Sequence, residues 1–102
     1  MIRSGDISAR GDSDAGLYVA VLSNATHLQA GTGRLIVCPF VPGPLPEEAM
    51  PLVVPVAEPE GVLLPELVQW LPASALDAAI GNVGRPALRQ ATSIVGALVD
   101  HC

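Results

Sequence analysis

The sequence predicts an α+β fold: a small, strongly curved antiparallel sheet or barrel plugged by one C-terminal helix. Three observations predict it. Short apolar, β-branched segments recur as far as Val83, separated by turns rich in Gly and Pro. Only the segment after Gly84 repeats its apolar residues at spacings of three and four. The chain of 102 residues is long enough to bury a core and short enough to be one domain, 1–102.

The elements follow in order. Gly5 to Ala9 reads as a short first strand, and Arg10 to Gly16 as a polar turn. Leu17 to Ser23 is apolar on both faces, β-branched and aromatic, which predicts a central strand. Asn24 to Gly33 is a loop with room for one helical turn, and Arg34 to Phe40 a second buried strand. Val41 to Pro46 holds three prolines and Gly43, so it predicts no regular structure. Pro51 to Val56 is a third strand, with Pro55 pointing to an edge or bulge. After an acidic turn, Ala57 to Gly61, Val62 to Leu71 predicts a fourth strand. Glu66 and Gln69 would then face opposite sides of it. Pro72 to Leu76 is one helical turn, and Ala78 to Val83 a last short strand. Pro86 opens the long helix, whose Leu88, Ala91, Val95, Leu98 and Val99 predict one apolar face.

Composition narrows the function. Hydrophobic residues make up 50% of the chain, aromatics 3% and charged residues 15%, against about 25% charged in an average soluble protein. Mean hydropathy is +0.48. This excludes a disordered chain, a polybasic tail and a coiled coil. The core must be aliphatic, built around Tyr18, Phe40 and Trp70. Five arginines and no lysine stand against ten acids, for a net charge of −5. Such a chain is a poor generic nucleic-acid binder, because phosphate affinity comes from neutralising cations. Any nucleic-acid role must use a local arginine cluster. So few charges on so apolar a chain also point to a surface covered by a partner.

The longest uncharged run, Leu35 to Pro46, is broken by three prolines and falls short of the roughly 18 residues a membrane helix needs. No apolar signal region opens the chain, so the expected compartment is the cytoplasm. Cys38 and Cys102 form neither a disulfide scaffold nor a metal spacing, and Cys38 reads as a small buried residue. No phosphate-binding loop, nucleophile elbow or metal cluster is present, and Gly31-Thr32-Gly33 is a turn. No cofactor is expected. His27 reads as a solvated loop histidine. The remaining polar constellation is Arg3 and Arg10 around the first strand, Ser23, Asn24 and Thr26 after the second, and Arg34 at the start of the third.

The order of segments resembles the MazF/PemK toxins of bacterial toxin–antitoxin modules and, more distantly, the CcdB toxins. Ile2-Arg3-Ser4-Gly5-Asp6-Ile7 resembles that family's opening, and Val19 to Asn24 its next strand end. Leu35 to Phe40, Leu64 to Gln69 and Ala79 to Val83 before the long helix resemble three further segments. The resemblance implies an SH3-like antiparallel barrel with a terminal helix, a homodimer, a cognate antitoxin and growth inhibition. It also implies mRNA cleavage without a metal, carried by an arginine and a threonine. At the matching positions this chain has Leu17 and Val41, which donate neither a hydrogen bond nor a proton. That leaves Arg10, Arg34 and Arg3 as candidate catalytic cations, with Ser23, Asn24 and Thr26 beside them for RNA binding. CcdB toxins instead bind DNA gyrase without catalysis. Leu17-Tyr18-Val19 resembles their strand better, although their Trp-Gly-Ile ending is missing here. A barrel that only binds its antitoxin is the third reading. The antitoxin groove is expected between the loops Arg10 to Gly16, Asn24 to Gly33 and Val41 to Pro46.

Overall fold

A computed structural model describes residues 2–12, 16–44 and 52–99. Seven strands, two helices and two 3-10 turns follow one another. The strands are β1 (Asp6–Arg10), β2 (Tyr18–Val21), β3 (Arg34–Pro42), β4 (Val54–Val56), β5 (Gly61–Leu63), β6 (Gln69–Pro72) and β7 (Leu76–Asn82). The helices are α1 (Ala25–Gln29) and α2 (Arg85–Val99). All strand pairings are antiparallel, in the order β4-β5-β3-β2-β1-β7, with β6 also on β3.

β2 is central, as its two apolar faces predict. Val19 and Val21 enter one core cluster with Leu35, Val37, Leu71 and Ala75. Ala20 and Leu22 enter the other with Ile7, Cys38, Phe40 and Leu63. α2 plugs this second cluster with Ala87 and Ala91. Cys38 is fully buried, and burial pushes its thiol up to about 12.

The expected barrel is an open sheet: no ladder joins β4 to β7 among the described residues. The gap is bridged by side chains. Pro59, on the turn between β4 and β5, sits against Gly81 of β7, where an added Cβ would come 3.2 Å from Pro59 Cδ. The β1–β7 ladder itself is irregular, with register shifts around Ser8.

Several expectations are corrected. The fourth strand is two strands, because Leu64-Pro65 breaks the ladder and a 3-10 turn, Pro65–Leu67, separates β5 from β6. Glu66 and Gln69 are therefore not across one strand, and both are exposed. Val41 and Pro42 are not loop but the end of β3, paired with Val62 and Gly61. Trp70 is not core: it is 60% exposed on the outer face of β6. The buried face of α2 is set by Ala87 and Ala91, whose small side chains let the helix approach the sheet. Leu98 and Val99 overhang it, 51% and 68% exposed. The beginning of the predicted third strand at Pro51, the loop tip at 13–15, Leu45-Pro46 and the chain end at 100–102 lie outside the described residues.

Candidate functional site

β1, β2 and β3 lie side by side, so the polar candidates sort to the two ends of the sheet. Arg10 ends β1 at the edge where β2 begins. There, Arg10, Leu17, Tyr18, Phe40, Val41 and Gln69 line a notch of about 270 Å³. Leu17 and Val41 thus meet in one cavity. They are 48% and 50% exposed, and the surface they offer is apolar.

Arg10 does not supply the missing cation freely. Its Nε donates to Asp12 Oδ1 at 3.0 Å and its Nη2 to Oδ2 at 2.9 Å. These bonds raise the Arg10 pKa above its ordinary value and lower that of Asp12. The pair is charge-balanced within two residues of the same turn.

The other candidates lie at the opposite end. Arg34 begins β3, seven residues from Val41, or about 23 Å at the rise of a strand. The expected neighbourhood of Arg34 with Leu17 and Val41 is therefore corrected by the length of β3. Arg3 lies at the Arg34 end too, since its neighbour Ile2 lines a cavity with Arg34. This cavity, of about 440 Å³, is walled by Ile2, His27, Leu28, Gln29, Thr32 and Arg34, among others.

A chain of hydrogen bonds supports His27, one of its walls. Ser23 is 2% exposed, and its Oγ accepts from Ile36 N–H at 2.8 Å and meets His27 Nδ1 at 2.7 Å. Ser23 Oγ thus ties the β3 backbone to the imidazole. The contact fixes the orientation of the ring. Asn24 is committed as well: its Oδ1 accepts from His27 N–H at 2.9 Å and caps α1. Thr26 is exposed. The structure so brings Ser23, Asn24 and Arg34 to one end with His27. The spacing of four between Ser23 and His27 was the available clue to a fixed imidazole rather than a solvated one.

Arg34 has no acidic partner among the described residues, and its guanidinium carbon lies 5.1 Å from the centroid of the Trp70 ring. The β3–β6 register makes this contact, by pairing Arg34 with Pro72 and Ile36 with Trp70. Arg85 and Arg89 sit apart, on α2. Among the described residues no three His, Cys, Asp or Glu side chains gather as a metal site, and no helix is long and apolar enough to cross a membrane.

Comparison with known proteins agrees with this architecture. An endoribonuclease from Mycobacterial species, solved in complex with its cognate antitoxin, superposes with a TM-score of 0.77 at 11% identity, over 95% of this chain and 93% of its own. A MazE–MazF complex from Deinococcus radiodurans gives 0.79 at 17%, over 99% and 97%. These likenesses establish the fold as MazF-like. In sequence, Toxin Rv0299 of Mycobacterium tuberculosis is 59% identical over 99 residues, covering 97% of this chain and 99% of that protein. A family model, described as type II toxin–antitoxin system toxin Rv0299, matches residues 5–98. A match of this extent, on a chain with a MazF-like fold, places it in the Rv0299 family of type II toxin–antitoxin system toxins.

Proposed function

We propose that this chain is the growth-inhibiting toxin of its module, a one-domain cytoplasmic protein, held by a cognate antitoxin and directed at RNA. The solved endoribonucleases bound to antitoxins share its fold over nearly its whole length, which supports both partners. The observation that carries RNA over a protein target is Arg34, a cation without an acidic partner among the described residues, lying over an exposed tryptophan. Cation and aromatic face together suit a single strand, whose phosphates and bases are both accessible. Cleavage through Leu17 and Val41 has no chemical basis, since stabilising a phosphorane needs donors. Recognition of RNA is therefore the part of the reading that this chain's residues support.

A homodimer is part of the same proposal. Closed two-fold pairing is the commonest assembly. Leu67, Leu98 and Val99 remain exposed on the 3-10 turn and on α2, which packs against that turn. The helix face of Leu88, Ala91 and Val95 is used within the protomer.

A second reading has one observation in its favour. The exposed apolar notch at Leu17 and Val41, in a chain of net charge −5, suits a protein target such as DNA gyrase. Purified protein incubated with long RNA, and separately with gyrase and supercoiled DNA, separates the two. Sequence-specific RNA fragments or a stable RNA complex are expected. A trapped gyrase–DNA break with RNA untouched overturns the proposal.

A further inference from the structure

We infer that the α1–β3 cavity and the neighbouring Trp70 form a nucleotide subsite for single-stranded RNA, separate from the Leu17–Val41 notch. A backbone phosphate lies between His27 and Arg34, and the adjoining base stacks on Trp70. The inference rests on the reading of RNA as target, and adds where and through which groups the strand is held.

Three independent features converge. The first is space: about 440 Å³ with an apolar side of Ile2, Leu28, Leu35 and Ala73 and a polar rim of His27, Gln29, Thr32 and Arg34, within the range of small-ligand pockets. The second is orientation. Ser23 is buried, receives the Ile36 N–H and holds His27 Nδ1 at 2.7 Å. This contact holds the orientation of a ring that lines the cavity. The third is charge and stacking. Arg34 lines the same cavity and also covers part of Trp70, so one guanidinium joins the phosphate position to the base position. Trp70 is 60% exposed, and base–aromatic stacking is tolerant of base identity because every base has a π face. The three arginines outside this end lack the combination: Arg10 is paired with Asp12, and Arg85 and Arg89 line a separate groove on α2 that carries no aromatic ring.

Ser23 is a positioning residue here and touches no ligand. His27 and Arg34 are the phosphate donors. The acidic global field means that these few donors must account for most of the salt-sensitive affinity.

The test is binding of a short 2′-O-methyl oligoribonucleotide, which resists attack by its own 2′-oxygen, followed by anisotropy and by emission of Trp70, the chain's one tryptophan. Emission should be quenched on binding. Arg34→Gln should weaken affinity about tenfold and lower the salt slope by about 0.7. Trp70→Ala should weaken it about five- to a hundredfold, and His27→Ala should act in the same direction. Arg89→Gln should leave binding unchanged, and thermal melts check that each variant is folded. Tight binding that is insensitive to Arg34, Trp70 and His27 substitutions overturns this site and leaves the RNA reading standing. No binding by the unsubstituted protein at low salt overturns both. Displacement of the oligonucleotide by millimolar inorganic phosphate alone overturns the stacking half, because a stacked base would resist it. Loss of antitoxin binding, with RNA binding intact, in the same variants reassigns the surface to protein and overturns the inference.

Discussion

Asp12 grips the guanidinium of Arg10 with both carboxylate oxygens, two residues along the same turn. The sequence places Arg10 close to Leu17; the structure pairs its charge with an exposed carboxylate of the same turn. Fork-to-fork pairing of this kind fixes orientation as well as charge. Arg10→Ala should therefore leave RNA affinity nearly unchanged. Asp12→Asn should free the cation and steepen the salt dependence of oligoribonucleotide binding by up to about 0.7 in slope. Filter binding across a salt series checks both. A large loss of affinity in Arg10→Ala would return the phosphate site to the notch.

Gly61 is required by Phe40. A Cβ at residue 61 would collide with Cζ and Cε1 of the Phe40 ring and with the Val41 carbonyl. Phe40 is 3% exposed and held in the core, so the ring has nowhere to retreat. Gly61→Ala should cost about 1–3 kcal/mol, read as a drop of roughly 4–8 °C in Tm per kcal/mol for a domain of this size.

Asn82 ties the start of β1 to the start of α2. Its Nδ2 donates to Ser4 O and to Asp6 Oδ1, both at 3.0 Å, and its Oδ1 accepts from Gly84 N–H at 2.8 Å. Asp6 is itself 5% exposed. Asn82→Ala strips three partners in a half-buried setting and should cost about 1–3 kcal/mol. Asn82→Asp should cost more, because it turns a donor into a second carboxylate facing Asp6. Urea titrations of the two variants give the order.

Cys38 makes the fold alkali-sensitive. Burial raises its thiol from 9.0 to about 12. The folded state thus favours the protonated form. This contribution to stability is complete below the unfolded value and is lost as pH rises from about 9 toward 12. Cys38→Ala should flatten the pH dependence of the urea midpoint over that window. In a Cys102→Ser background, native protein should resist iodoacetamide at pH 8 and react only on unfolding.

Much of the fold was legible. Val19-Ala20-Val21-Leu22 is apolar on both faces, and no edge strand can afford that pattern. Gly84-Arg85-Pro86 marked the long helix within one residue. What failed was non-local. Nothing near Trp70 in sequence says that β6 is an outer flap on β3. That pairing, and with it the Arg34–Trp70 contact, is a register fixed by the Pro65 turn and by Leu71 entering the core. Leu98 and Val99 fit the helical period of the apolar face, but periodicity does not say where the sheet beneath a helix stops. At the candidate site, residue types were legible and their grouping was not. Arg10 and Arg34 look equivalent in the chain, and the nine residues of β3 place them at opposite ends.

β1 carries a consequence for synthesis. It lies between β2, made soon after it, and β7, made near the end. While the ribosome works through the intervening chain, at about 5–20 residues per second, one flank of β1 has no mate and Asp6 waits for Asn82. For those several seconds the nascent toxin is unfinished by construction. Any partner that needs the whole sheet can be bound only after β7 has been made and paired with β1.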